Sequence, residues 1–540
     1  MSSTRLNPLD AAWIFTESRA TPNHVGGLLQ FKLPPNAPQD FMRQLMAEFR
    51  SHRKFTAPWN RKLKYAFNFN PVAEWVEDRH IDLEYHVRHA ALPWPGGERE
   101  LGELVGRLQS TPLDLSRPPW ECTIIEGLEG GRFALFIKMH HSLIDGVSGV
   151  KLLQRSMAFT AKDSLDLPPF WASGKPSNKA HQHAQAHEAL LPTFAHAVTG
   201  AFEEITMQAK TAPQLVAAFS KMAKSAMEGG DTMMVPFDAP QSVLNGRVRE
   251  KRRFATQRFE MERLRAVAQA ADCTLNDVVL AICGGALRRF LSERNALPHK
   301  PLTAGIPMSV RPKDDEGQGN AISFIISTLG TDIADPVKRL EAIRKSVGHA
   351  KEHVQSLPRQ AMMQYTVLLM APTILTLLTG IGGRMRPMFN ITISNVPGPD
   401  KPLYFRGAEL LATYPASIVT HGQAVNITCQ SYAGYMNFGY TGCHSSVPGI
   451  QKLAVYTGEA LRELEEAVLP KGKTRSNVVQ LKAARKPAAK KAPAPVQPAA
   501  TVADAPKTPA RTKAAGAAKG AVTKAAAAAS AEPRPKRQKK

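Results

Sequence analysis

Between Arg132 and Phe159 the apolar residues change their spacing, and that change restricts the chain more than any other feature of the sequence. Phe133, Leu135, Ile137 and Met139 recur in an imperfect period of two against Arg132 and Lys138, as in a strand. Val150, Leu153 and Met157 then follow at helical spacing, with Ser148 available to cap the helix start. The junction reads Lys138-Met139-His140-His141-Ser142-Leu143-Ile144-Asp145-Gly146, which puts two adjacent histidines, an aspartate and a glycine where a strand gives way to a helix. The first half therefore reads as mixed α and β.

The same alternation of elements continues downstream. From Arg253 a strand pattern passes into two helical ones, the second with Val278, Val279, Ile282, Ala286 and Phe290 on its apolar face and Thr274 as a candidate cap. Further strands are expected over Ala304 to Val310, Ile322 to Leu329, Met388 to Ser394, Val425 to Tyr432 and Asn437 to Thr441. The expected class is α/β with mixed sheets. A chain of 540 residues exceeds the size at which one core keeps growing, so two folded halves are expected.

Charge divides the chain in a different way. Of 69 basic and 46 acidic residues, 18 and 2 lie in residues 471–540, which leaves 51 against 44 in the rest. The formal net charge of +23 is thus mostly a property of an Ala/Lys/Pro-rich tail that cannot bury enough apolar surface to offset its ordering entropy. Disorder is expected there, and nucleic acid, anionic lipid or simple solubility are equal candidates for its use. Residues 171–248, rich in Ala, Gln, His, Lys and Pro, read as a linker with crossover helices between halves at 1–170 and 249–470. Within it His181, His183 and His187 read as a solvated polar run, since no acidic or thiol ligand joins them.

Five cysteines without a CxxC pair suit a reducing compartment. The N-terminus lacks the basic and apolar pattern of a signal peptide, so a cytoplasmic protein is expected. Tyr365 to Gly383 is nearly free of charge but interrupted by Pro372, and reads as a core helix or a surface-docking one.

The histidine motif admits three chemistries. A metal site is disfavoured because side chains of neighbouring residues in an extended segment point apart and no third ligand lies nearby. A serine hydrolase of the α/β type is disfavoured because the chain has no G-x-S-x-G elbow; Gly146-Val147-Ser148-Gly149 is one residue too short. A histidine at a strand end, beside a turn closed by Asp145 and Gly146, can serve as a proton acceptor near neutral pH.

His140 to Gly146 matches the HHxxxDG motif of coenzyme-A-dependent acyltransferases and peptide-synthetase condensation domains. Asn7 to Ser18 with Asn23 to Leu28, Arg117 to Glu121, Leu275 to Ala281, and Ile393 to Pro399 occur in the order seen in bacterial wax ester synthase/diacylglycerol acyltransferases. From about Arg5 to about Leu469 the chain resembles that family. The resemblance implies two chloramphenicol-acetyltransferase-like subdomains with a tunnel between them. It implies that His141 is the general base, that His140 supports it, and that Asp145 orients the loop through an ion pair. Gly146 would permit a close backbone approach or a positive φ. Asn276 and Asp277 would shape the active centre, with helix capping as the competing explanation. Asn395, Val396, Pro397, Gly398 and Pro399 would shape the tunnel.

By the same resemblance the donor is acyl-CoA, a substrate rather than a cofactor, and the acceptor is diacylglycerol or a long-chain alcohol. No metal and no acyl-enzyme are implied. Peripheral attachment to the inner membrane or to lipid inclusions is expected, through apolar insertion and basic attraction to anionic lipid. The competing readings are a condensation-type enzyme using a carrier-bound thioester, and a non-catalytic lipid-inclusion or nucleic-acid-binding protein acting through its tail.

Overall fold

A computed structural model of the chain describes residues 3–6, 8–65, 73–144, 146–173, 237–309, 322–356, 369, 376 and 379–470. Asp145, the histidine run of the linker, most of the apolar stretch before Gly380 and the basic tail lie outside these residues.

The first half runs β1 (Ser3–Arg5), α1 (Pro8–Phe15), β2 (His24–Lys32), α2 (Phe41–Ser51), β3 (Arg61–Leu63), β4 (Glu74–Glu77), α3 (Leu83–His86), β5 (Val87–Ala91), α4 (Glu98–Ser110), β6 (Trp120–Leu128), β7 (Arg132–His140) and α5 (Gly146–Gln154). The second runs β8 (Arg252–Glu260), α6 (Met261–Ala270), α7 (Leu275–Ser292), β9 (Thr303–Ser309), β10 (Ile322–Thr328), α8 (Pro336–Gln355), β11 (Ile391–Val396), β12 (Tyr404–Phe405), β13 (Ala408–Ala416), β14 (Val425–Tyr432), β15 (Tyr435–Cys443) and α9 (Gln451–Val468). The mixed α/β class expected from the sequence is what forms.

One six-stranded sheet has the order β12-β13-β2-β7-β6-β5, the other β10-β9-β11-β14-β15-β8, and β1-β4-β3 form a small third sheet. Each large sheet is mixed: β5 lies parallel to β6, and β11 parallel to β9 and β14. The sheet built on β2 and β7 takes its β12 and β13 from beyond residue 400, so it draws on both sides of the expected division near 249. Strand β13 has no counterpart in the sequence reading, because its buried positions mix small residues, Ala408, Ala412 and Ala416, with Leu410 and Tyr414, and a bulge between Leu410 and Ala412 passes them from the core of the first half to the seam.

A dedicated apolar cluster fills the seam between the sheets: Leu28, Ala134 and Phe136 from the first, Leu101 and Val105 from α4, Phe254 from β8, and Tyr414 from β13. Helix α4 can lie against β8 because it carries Gly102 and Gly106 one turn apart. A Cβ at either would sit 2.9 Å from a carbonyl oxygen, of Phe254 and Arg252 respectively. In the second half α7 is a core helix, with Val278, Val279, Ile282, Ala286 and Phe290 all fully buried, and Thr274 caps it as expected. Among the described residues no single helix is long and apolar enough to cross a membrane; α6 and α7 pass such a test only as a pair bent by 100°.

Three expected elements differ in their limits by two residues or more. Strand β11 begins at Ile391, not Met388, because Asn390 is held across the sheet end: its Oδ1 accepts from Thr303 N at 2.9 Å and its Nδ2 donates to Pro240 O at 2.7 Å. Strand β15 is longer than Asn437 to Thr441, because Ala433 (φ 45°) and Gly434 (φ 82°) close a two-residue hairpin that lets pairing start at Tyr435. Helix α5 begins at Gly146, so Ser148 lies in its first turn and is not its cap.

Candidate active site

Strand β7 is buried on both faces, which explains its imperfect alternation. Leu135, Ile137 and Met139 enter the core of the first half, while Ala134 and Phe136 face the seam. On that second face Lys138 is buried too. Its Nζ donates to Leu108 O at 3.1 Å and Thr111 O at 2.7 Å, terminating α4, and pairs with Glu121 at 3.3 Å. Glu121 is shared with Arg88 at 3.1 Å. Burial lowers the Lys138 pKa, opposed by Glu121.

Register then decides the fate of the two histidines. His140 pairs across to His24 on β2 and follows Lys138 on the seam face, where it is fully buried. The Ser142 amide donates to its Nδ1 at 3.2 Å, and Ser142 Oγ lies 2.5 Å from the same nitrogen. A backbone N–H has no choice of role, so Nδ1 is an acceptor and the proton sits on Nε2. That nitrogen donates to Glu17 Oε2 at 2.6 Å. His140 thus has both ring nitrogens engaged.

His141 stands one residue past the strand end and is half-buried. Its amide donates to Asn23 O at 2.9 Å, and its ring stacks on Trp13 of α1 with centroids 4.5 Å apart and planes at 29°. Asn23 also ties down that helix, its Nδ2 donating to Trp13 O at 2.7 Å and Thr16 Oγ1 at 3.0 Å. The amides of Leu143 and Ile144 both return to His140 O, at 3.0 and 3.4 Å, which closes the turn. Beside it His24 is held well below its ordinary pKa by burial and by Lys138, and its Nε2 donates to Gln109 O at 3.0 Å.

The other expected residues lie on separate elements. Gly146 opens α5 with its φ outside the left-handed region, and a Cβ there would meet nothing described within 4 Å. Neither reason given above for a glycine operates in this conformation. Asp145 lies outside the described residues. At the start of α7, Asp277 completes a capping box: its Oδ2 accepts from Thr274 N at 2.9 Å and Thr274 Oγ1 at 2.7 Å. Its Oδ1 is buried with no hydrogen-bond partner among the described residues. Asn276 beside it is half-buried.

Asn395 and Val396 end β11, in register with Cys429 and Gln430 of β14. Gly398 is pressed onto the next residue of that strand, its amide donating to Ser431 Oγ at 3.0 Å; a Cβ would lie 2.2 Å from Ser431 O. Pro397 is exposed, and Pro399 O accepts from Ala433 N at 3.0 Å.

The sequence reading assigned no role to Trp13, Glu17 or Asn23, although all three lie in the N-terminal stretches it singled out. Their signal was there, but only the fold shows that these stretches embrace the histidine turn. Burial pushes the Cys429 thiol up to about 12 and raises that of Cys122 as well, so neither offers a thiolate at neutral pH. Among the described residues no group of three or more His, Cys, Asp or Glu is placed to hold a metal.

Comparison with known proteins agrees with this arrangement. The wax ester synthase/diacylglycerol acyltransferase catalytic domain matches residues 6–279, and the C-terminal domain of the same family matches 318–465. A Mycobacterium tuberculosis protein bearing a diacylglycerol O-acyltransferase name is 43% identical over 491 residues, covering 86% of this chain and 98% of its own. The O-acyltransferase WSD of Acinetobacter baylyi is 38% identical over 467 residues, with coverage of 86% and 98%. The solved wax ester synthase/diacylglycerol acyltransferase of Marinobacter aquaeolei superposes with a TM-score of 0.69 at 35% identity, covering 86% of this chain and 99% of that one. The first condensation domain of the CDA synthetase shares the fold alone, with a TM-score of 0.53 at 15% identity over 87% and 98% of the two chains.

Proposed function

The chain belongs to the wax ester synthase/diacylglycerol acyltransferase family, and from that premise we propose that it moves a fatty acyl group from acyl-CoA to the hydroxyl of diacylglycerol or a long-chain alcohol, with His141 as general base. One observation carries the choice of base. His140 is fully buried with both nitrogens engaged, whereas His141 lies past the strand end, half-buried and stacked on Trp13.

His141 takes the hydroxyl proton as the acceptor oxygen bonds to the thioester carbonyl carbon. The tetrahedral species collapses with cleavage of the C–S bond, and coenzyme A leaves as a thiolate that recovers a proton from the imidazolium. A thiol pKa of about 8.5 makes strong acid assistance unnecessary. His140 and Glu17 hold the turn from which His141 projects, and Asp145 helps to orient it. Asp277 Oδ1, Asn276 and the Asn395 to Pro399 turn border the substrate tunnel between the sheets, a role supported by their place at element ends. The lipid substrates put the enzyme at the inner membrane or at lipid inclusions.

Replacing His141 with Ala and assaying transfer to a fatty alcohol and to diacylglycerol tests the base. A fall of roughly 10²- to 10⁴-fold with both acceptors is expected; undiminished turnover would remove His141 from the mechanism. Comparing free acyl-CoA with a carrier-bound donor separates this reading from the condensation-type one.

A further inference from the structure

We propose that the face formed by residues 237–249 and 380–388 is the surface that docks on anionic lipid. The two segments run side by side. Phe237 N donates to Met388 O at 3.3 Å, and Arg247 Nη1 donates to Gly380 O at 2.6 Å and Gly382 O at 3.3 Å. Gly383 lies so close to Gly246 and Arg247 that a Cβ would come within 3.1 Å of both. Arg386 shares a surface hollow with Lys300 and residues 238–241.

This face is unusual in what it exposes. Ten large apolar residues are exposed among those described, and four of them are here: Phe237 at 38%, Val243 at 44%, Ile381 at 38% and Met385 at 57%. Ile381 rides on a turn between two glycines with positive φ, Gly380 (68°) and Gly383 (76°), and Met385 follows it between exposed Arg384 and Arg386. The nearby carboxylates are already engaged, Asp238 by Lys300 at 3.0 Å and Glu250 by Arg19 at 3.1 Å. Arg247, Arg384 and Arg386 have no ion-pair partner among the described residues. Apolar side chains that can enter the headgroup boundary, ringed by cations that no described carboxylate neutralises, fit an anionic bilayer or lipid-monolayer surface. A protein partner would need acidic and apolar groups in a matching register; a lipid surface supplies both without register.

The inference rests on the functional reading only in that lipid substrates make such a surface useful. Its test is co-sedimentation of the full chain with phosphatidylcholine vesicles, with and without phosphatidylglycerol. The variants are R384Q/R386Q and I381S/M385S; both leave the tail unchanged, so a difference from the parent reports this face. The parent should bind the anionic vesicles, less so at high salt. The arginine pair should cost about 25-fold in partitioning, about fivefold for each charge, and the apolar pair at least about tenfold. A parent that ignores phosphatidylglycerol, or two variants that bind as it does, overturns the assignment. So does self-association of the parent that both variants abolish, since the face would then serve a second copy. Transfer to a detergent-dispersed acceptor is measured alongside: its absence with lipid binding intact refutes the functional reading and leaves the docking face standing.

Discussion

Glu17→Gln isolates the contribution of a residue that touches the site only through His140. The contact is 2.6 Å, from a fully buried imidazole to a side chain that is 11% exposed, so solvent screens it little. A hydrogen bond to a charged group contributes about 1.5–3 kcal/mol and a neutral one about 0.5–1.5 kcal/mol, so the substitution removes about 1–2 kcal/mol while keeping the shape. His140 also closes the turn through its carbonyl and through Ser142, so a loosened ring loosens the origin of His141. If the lost energy is expressed in the transition state, kcat falls about 5- to 30-fold, well short of the effect of removing His141. KM should hold if Glu17 acts only through its contact with His140. Steady-state kinetics with both acceptors, beside thermal melting of the same samples, gives the answer. Activity within about twofold of the parent would refute the positioning role; here about twofold corresponds to less than half a kcal/mol. A loss equal to that of His141→Ala with unchanged melting would refute it differently, by placing Glu17 on the substrate.

Acid should weaken the fold. Burial lowers the pKa values of His24, well below the ordinary one, and of His86; the unfolded chain takes up protons near pH 6.5 that the folded one refuses, so stability present above about pH 6.5 is lost as the pH falls toward the lower folded values. Melting temperatures across this range should decline, and less steeply in His24→Gln; an equal slope would exclude His24 as a contributor. Gly398→Ala would put a Cβ 2.2 Å from Ser431 O and force the 395–399 turn off β14. A cost of about 1–3 kcal/mol in denaturant melts is expected, with an altered acyl-chain preference, and the absence of both would refute the pinning. Lys138→Met strands Glu121 on Arg88 alone and leaves the Leu108 and Thr111 carbonyls without their donor. About 3–5 kcal/mol of stability should be lost, part of it recovered in the double variant with Glu121→Leu; a single variant as stable as the parent would refute the network.

Local signals survived into the fold where a short segment decided its own conformation. The capping box of Thr274 and Asp277, the apolar face of α7 and the strand that carries the histidines all depend on neighbours within a few residues. What could not be read depends on partners far along the chain. β13 is a strand because β2 offers it an edge, and its alanines, which argue weakly for any element, fit a seam where Gly439 meets Pro415 O so closely that a Cβ would lie 1.8 Å away. Lys138 reads as a solvent-facing charge; its burial requires Glu121, 17 residues upstream, and the end of α4. Glu17 is a commonplace acid until it is found 123 residues away from its histidine.

The two histidines illustrate how a distant ladder sets local chemistry. In a strand a slip of one residue exchanges the faces, so a shift of β7 against β2 would bury His141 in the seam and turn His140 out of it. Lys138 opposes the slip, since moving it to the other face would drive an ammonium among Leu29, Phe31 and Ile124 of the neighbouring strands and leave Glu121 buried with half its charge compensation. Gly26 opposes a slip in one direction, because the Phe136 ring lies 2.8 Å from where its Cβ would be and such a slip would carry the ring onto Val25; a slip the other way meets Gly27 and is left to Lys138 to resist. Which of two adjacent, chemically identical side chains is buried in the seam and which stands outside it is therefore decided mainly by a buried ion pair, and that pair need touch no substrate to decide it.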